Sequence, residues 1–98
     1  MLIEELLAEV FQRKASDLHL SAGLPPVFRI HGELIRAEYP PLSPEECHRL
    51  IFALVTSEQR RRLEQDWELD FSYGLEGVGR FRVNLYKTNG KYAAAFRA

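Results

Sequence analysis

A single cysteine, Cys47, among 98 residues leaves no intrachain disulfide and no cysteine-cluster metal site to hold the fold together. A reducing compartment is the default for such a chain, which makes the cytoplasm its expected home. No apolar run approaches the roughly 20 residues of a membrane-spanning helix, and Met1 leads into an acidic helix rather than a signal peptide. Neither sign of charge dominates: 13 basic residues against 14 acidic ones give a formal net charge of −1. That balance argues against general attraction to nucleic acid or to an anionic membrane. The chain has no GxxxxGK[ST] loop to cradle phosphates and no acidic pair to hold magnesium. Ser16, Ser21 and Ser72 stand in no recognisable motif with a His–Asp partner, so nucleophilic catalysis has no support and no catalytic residue is expected. Internal repeats, low-complexity stretches and interdomain linkers are missing too.

What remains is a soluble, globular composition, 46% hydrophobic and 28% charged, of a size that makes one domain over 1–98. A domain of this length buries roughly 60–70% of its unfolded surface, enough for one modest core. Ile3, Leu6, Leu7, Val10 and Phe11 follow the spacing of an amphipathic helix, with Glu4, Glu5 and Glu9 early and Arg13 and Lys14 late, as the helix dipole favours. The period then switches to two: Asp17, His19 and Ser21 alternate with Leu18 and Leu20 in a short strand. Gly23, Pro25 and Pro26 break it, and Val27 to Ile30 form a second strand. His31-Gly32 is a plausible hairpin turn into Glu33–Arg36. Ser43, Pro44 and Glu46 agree on a helix start, and Cys47, Leu50, Ile51, Leu54 and Val55 make its buried stripe. Thr56 and Gln59 repeat the capping logic, so a third helix is expected from about Ser57 to Asp66.

Glu68 to Tyr73 alternates again, with Leu69, Phe71 and Tyr73 on one face. Gly74, Gly77 and Gly79 suggest a flexible turn into a strand over Arg80–Tyr86, and Asn89-Gly90 is a strong hairpin signal before a returning strand from Tyr92 to Arg97. The order α-β-β-(β)-α-α-β-β-β reads as a mixed α+β domain, a mostly antiparallel sheet with helices packed on one face. The last residues, Phe96-Arg97-Ala98, end in mid-strand, which suggests truncation at a domain boundary.

The run Gly79-Arg80-Phe81-Arg82-Val83-Asn84 carries the most chemistry. Alternation puts Arg80, Arg82 and Asn84 on one face and Phe81, Val83 and Leu85 on the other. Two arginines roughly 6.6 Å apart along a strand offer planar forks suited to a polyanion such as a triphosphate. The alternative is an exposed face held by cross-strand carboxylates such as Glu68 or Asp70. Asp17 and His19 share a face without a third metal ligand, so a structural hydrogen bond or a subunit contact is expected there and no metal site. His31 is a turn residue and His48 lies on the polar side of its helix. Arg60-Arg61-Arg62 is flanked by Glu58, Glu64 and Asp66, a solvated helix face with pairs such as Arg60–Glu64. Trp67 reads as a core or interface anchor.

The segment Lys14-Ala15-Ser16-Asp17-Leu18-His19-Leu20-Ser21-Ala22-Gly23-Leu24-Pro25-Pro26 resembles the opening of the PilT family, hexameric type IV pilus retraction ATPases of the type II/IV secretion ATPase superfamily. The resemblance continues through Val27-Phe28-Arg29-Ile30-His31-Gly32-Glu33-Leu34, with His31 where the family has Asp. It resumes at Leu69-Asp70-Phe71-Ser72-Tyr73 and Gly79-Arg80-Phe81-Arg82-Val83-Asn84, and ends at Ala95-Phe96-Arg97. It implies a PAS-like N-terminal domain that precedes a RecA-like motor domain, the latter absent from these residues. It implies ATP bound in the cleft between the two, with Arg82 and Arg97 foremost as phosphate contacts and then Arg29 and Arg80. It further implies ATP and Mg as cofactors of the whole protein, with neither held tightly by this part alone and no hydrolysis by it. The implied partners are its own motor domain, neighbouring subunits of a homohexamer and, indirectly, the pilus machinery of the inner membrane. The alternatives from the residues are a free-standing PAS-like ligand sensor or adaptor, and a nucleic-acid-binding module that the near-neutral charge disfavours.

Overall fold

The computed structural model describes residues 1–98 as three helices and six strands: α1 (Ile3–Gln12), β1 (Asp17–Leu20), β2 (Val27–Ile30), β3 (Glu33–Arg36), α2 (Pro44–Phe52), α3 (Ser57–Asp66), β4 (Glu68–Leu75), β5 (Gly79–Thr88) and β6 (Lys91–Arg97). The expected element order holds throughout. All strands join one antiparallel sheet in the order β3-β2-β1-β6-β5-β4. It consists of two meanders, β1-β2-β3 and β4-β5-β6, stitched together where β1 pairs with β6.

Two turns fix the register of the hairpins. His31 and Gly32 take φ of 51° and 80°, and Asn89 and Gly90 take 52° and 76°. Successive positive φ values define the turn whose twist matches that of antiparallel strands, and Asn-Gly adopts it with little strain. The β4–β5 connection differs from the expected glycine-rich loop. Gly74 lies inside β4, the strand continues to Leu75, and only Glu76–Val78 turn, closed by the Val78 N–H donating to Leu75 O at 3.0 Å. A glycine in a strand marks a close approach as readily as a break.

One sheet face is covered by helices and the other is open. Ile3, Leu6, Leu7 and Val10 of α1, Cys47, Leu50 and Ile51 of α2, and Leu63 of α3 join alternate strand residues, among them Leu18, Phe28, Val83, Leu85 and Phe96, in a single core. Fully burying each such side chain contributes about 1.5–3 kcal/mol before chain entropy is counted. This is the α+β plan expected of the sequence and the PAS-like one that the resemblance implies. Phe11 departs from the expected stripe: it is 41% exposed, stacked edge-on against Phe81 at 5.3 Å at the rim of the core. Arg13 and Lys14 fall beyond the helix, Arg13 as its C-cap and Lys14 at a φ of 55°. Arg13 pairs instead with Glu9 at 2.7 Å. Cys47 is wholly buried, and burial followed by the neighbouring Glu46 carboxylate pushes its thiol pKa up.

Trp67 is not in the core. It ends α3 in the left-handed conformation, φ 60°, and its indole is 59% exposed with the Lys87 ammonium 5.6 Å from the ring centre. Its backbone does the anchoring: the N–H donates to Leu63 O at 2.8 Å and the C=O accepts the Lys87 N–H at 2.9 Å. On α3, Arg60 lies 3.6 Å from Glu64 and Arg61 3.4 Å from Glu58, the solvated, ion-paired face read from the sequence.

Both later helices begin with reciprocal caps. Ser43 Oγ accepts the Glu46 N–H at 3.1 Å while Glu46 Oε1 accepts the Ser43 N–H at 3.2 Å. Thr56 and Gln59 repeat this at 3.2 and 3.0 Å. Ser43→Ala and Thr56→Ala are each expected to lower the unfolding free energy by about 1 kcal/mol, read as a drop in the urea midpoint at unchanged slope.

Candidate functional site

The open face of the sheet collects the arginines singled out in the sequence. Pairing outward from the Asn89-Gly90 turn sets Arg82 opposite Arg97, and β1 sets Asp17 opposite both Arg97 and Arg29. With Ser72 opposite Arg82, one row crosses five strands: Arg29, Asp17, Arg97, Arg82, Ser72. Arg80 lies on the same face one step along β5, opposite Gly74. Neighbouring strands are about 4.8 Å apart, so guanidinium groups in such a row reach a common ligand.

A depression of about 680 Å³ opens over this face, lined by Asp70, Ser72, Arg80, Arg82, Arg97 and Ala98 among others. A smaller one of about 280 Å³ adjoins it and shares Asp70, Arg82 and Arg97, adding Asp17, His19 and Asn84. Arg82 and Arg97 have side chains 77% and 76% exposed, so both present their forks to solvent.

Each arginine is also held by a polar neighbour. Arg82 Nη2 donates to Asp70 Oδ2 at 3.3 Å, the cross-strand carboxylate contact anticipated as the structural alternative. Arg97 Nε lies 3.5 Å from Asp17 Oδ2. Arg80 Nη2 donates to Ser72 Oγ at 3.0 Å. Arg29 sits in the row, but its Nη1 donates to Gly32 O at 3.0 Å, which ties it to the β2–β3 turn.

Asp17 is the one buried charged residue, 8% exposed. Burial alone raises a carboxyl pKa, but the Ser16 hydroxyl donating at 2.6 Å and the Arg97 guanidinium outweigh it and hold Asp17 below its ordinary value of 3.8. This is the structural hydrogen bond expected at Asp17; His19 lies on the same face beside it.

Two contributors were missed in the sequence. The sequence weighs Ser72 only as a nucleophile, whereas it is the acceptor that steadies Arg80. The glycine spacing places Gly74 in a turn, whereas it lies within β4. A Cβ built there would lie 2.5 Å from Arg80 Nη1, so the missing side chain is what lets the guanidinium lie across β4. The signal was available: a three-residue turn at Glu76–Val78 brings Gly74 opposite Arg80.

Two outcomes follow from this geometry. Gly74→Ala is expected to displace the Arg80 guanidinium and shift its Nε–Hε resonance in NMR spectra. Stability should change by less than about 1 kcal/mol, since alanine is at least as good as glycine in a strand and the clash is with a flexible side chain. Asp17→Asn is expected to destabilise the domain by about 1 kcal/mol at neutral pH. Because the native pKa is lowered, the wild-type advantage is complete above the ordinary value of 3.8 and disappears as pH falls through the native value. Chemical denaturation of both proteins between pH 7 and pH 2 checks this; a gap that widened in acid would contradict it.

No protein-family model matches the chain. It is 46% identical over 95 residues to the type IV pilus retraction ATPase PilT of Pseudomonas aeruginosa, covering 97% of this chain and 28% of that protein. It is 39% identical over 72 residues to a twitching motility protein of Neisseria gonorrhoeae, covering 74% of this chain and 19% of that one. Among solved structures, the pilus retraction motor PilT with bound ADP superposes with a TM-score of 0.92 at 39% identity, over all of this chain and 29% of the motor. The Legionella pneumophila ATPase DotB shares the fold, with a TM-score of 0.81 at 21% identity over all of this chain and 29% of that one. The chain thus spans under a third of the length of these relatives. By sequence and fold it belongs to the PilT-type branch of the secretion ATPases and matches their N-terminal domain.

Proposed function

We propose that this chain is the nucleotide-contacting, regulatory domain of a hexameric ATPase that powers type IV pilus retraction. The observation that carries the reading is the register that sets Arg97 opposite Arg82 on the uncovered sheet face, with Arg80 beside them. Guanidinium forks are planar, permanently charged and weakly hydrated, so a row of them suits a phosphate chain better than lysines would. A relative of 39% identity is described with bound ADP, which supports a nucleotide as the polyanion.

Under this reading the domain is one wall of a cleft. A RecA-like motor domain in the longer protein supplies the phosphate loop, the magnesium and the catalytic groups. Arg82 and Arg97 would contact the phosphates with Arg80 beside them, while Arg29 continues the row at the β2–β3 turn, outside both depressions. Closure expels water from the cleft, and the same contacts strengthen as the local dielectric falls. Each round of closing and opening is transmitted to the neighbouring subunit of a homohexamer that works in the cytoplasm at the inner-membrane pilus machinery.

Magnitudes define the division of labour. A charge-assisted hydrogen bond is worth about 1.5–3 kcal/mol before ordering costs, so two or three exposed arginines bind ATP at roughly millimolar affinity. The domain alone is a reader of nucleotide and no hydrolase. The ligand-sensor alternative would need polar groups inside the core, whereas Asp17, the only polar or charged residue among the buried ones, belongs to the arginine face.

In the longer protein, Arg82→Ala and Arg97→Ala are each expected to lower kcat for ATP hydrolysis about tenfold or more; Arg82→Ala leaves the melting of the 98-residue domain unchanged, whereas Arg97→Ala lowers it modestly because Asp17 loses its ion-pair partner. The isolated domain is expected to release no phosphate above a buffer control. Wild-type turnover in the double variant would remove the arginine face from the nucleotide site.

A further inference from the structure

The two carboxylates on the arginine face are built differently. Asp17 is flanked by strands on both sides, 8% exposed, bonded by the Ser16 hydroxyl and placed between Arg29 and Arg97. It is also braced through its neighbour's backbone: the Ala98 N–H donates to Ser16 O at 3.0 Å and the Ser16 N–H to Arg29 O at 2.9 Å. Asp70 stands on the edge strand β4 with its side chain 48% exposed, and its polar contact is Arg82 Nη2 at 3.3 Å. It borders both depressions, so it lies wherever a polyanion on this face would lie.

We infer that Asp70 is a displaceable stand-in for phosphate that occupies Arg82 until a polyphosphate arrives, whereas Asp17 is a fixed positioning residue that aims Arg97. The inference rests on the arginine face being a phosphate site, as proposed above.

The chemistry of the exchange is simple. A guanidinium fork donates to a carboxylate or a phosphate edge in the same plane, so the two compete for Arg82. An exposed ion pair contributes little to stability, and swapping one anion for another there leaves the fold intact. The displaced carboxylate remains beside the incoming ligand and repels it. A single phosphate therefore gains little over the carboxylate that it replaces. A triphosphate also engages Arg97 and Arg80, and overcomes the repulsion. Asp70 thus sets a threshold in ligand charge, and discriminates against inorganic phosphate.

Asp17 works in the opposite sense. It carries the same charge, yet its oxygens are already committed to Ser16 and Arg97 in a buried setting. Removing it releases Arg97 from its place in the row. A purely electrostatic view predicts that losing either carboxylate tightens polyanion binding; the inference predicts opposite signs.

The test is a titration of the 98-residue chain with sodium tripolyphosphate and, separately, with inorganic phosphate, following the arginine Nε–Hε resonances by NMR. Asp70→Asn is expected to tighten tripolyphosphate binding about two- to fivefold and to raise the response to inorganic phosphate. Glu68→Gln removes the same charge from the same face of β4 and is expected to do less than half as much. Asp17→Asn is expected to weaken binding at least about twofold, with the free Arg97 resonance shifted before any ligand is added. Ser16→Ala, which leaves all charges in place, should weaken it in the same direction even if Asp17→Asn proves too unstable. Equal tightening by Asp70→Asn and Glu68→Gln would overturn the role of Asp70, and tighter binding by Asp17→Asn or Ser16→Ala that of Asp17. Wild-type arginine resonances left unmoved by tripolyphosphate would overturn the phosphate reading of the face along with both.

Discussion

The pairing of β1 with β6 is the constraint on which the rest of the domain depends. Each meander on its own is a local, hairpin-built unit with one apolar face. Only their junction makes a six-stranded sheet wide enough to take three helices on one side. The same junction brings Asp17 against Arg97 and so joins the N-terminal half of the arginine row to the C-terminal half. Residues this distant in sequence incur a large loop-closure entropy, which the contacts of the junction must offset. Core and candidate site therefore share the same pairing. A mutation that loosens the seam acts on both.

Much of this was legible from turn chemistry. Asn89-Gly90 fixes β5 against β6, and counting outward from it gives the opposition of Arg82 and Arg97 without any structure. His31-Gly32 does the same for β2 and β3. The caps at Ser43 and Thr56 were legible for a similar reason: a short polar side chain satisfies a defined backbone donor three residues on. What stayed hidden depended on tertiary context. Three glycines in six residues pointed to a loop, yet Gly74 is a strand residue kept bare by the Arg80 guanidinium that crosses it. The sequence reads Trp67 as a core or interface anchor, and the core half of that fails because the chain turns from α3 into β4 through a left-handed residue there, which leaves Trp67 exposed. The junction of β1 with β6 carries no local signal, and neither did the burial of Asp17.

The near-zero net charge of the chain conceals a strongly patterned face. Four arginines on one side of the sheet are interleaved with Asp17 and Asp70, so the field at a distance is weak while the local supply of donors is dense. Such a surface does not attract polyanions at long range. On the proposed reading, recognition comes at contact, where the planarity and spacing of the forks decide the fit. That suits a domain whose ligand would be delivered by a second protein surface rather than captured from solution.

The buried, solitary Cys47 has a practical consequence for anyone who works with this chain. Its raised pKa and complete burial keep the sulfur from alkylating agents while the core is closed. Excursions that open the core expose it, so where reclosing outruns alkylation the rate of modification by an iodoacetamide-type reagent reports the equilibrium population of the open form. The domain thus carries its own gauge of how often the core stands open, with no engineered label and no competing thiol elsewhere in the 98 residues.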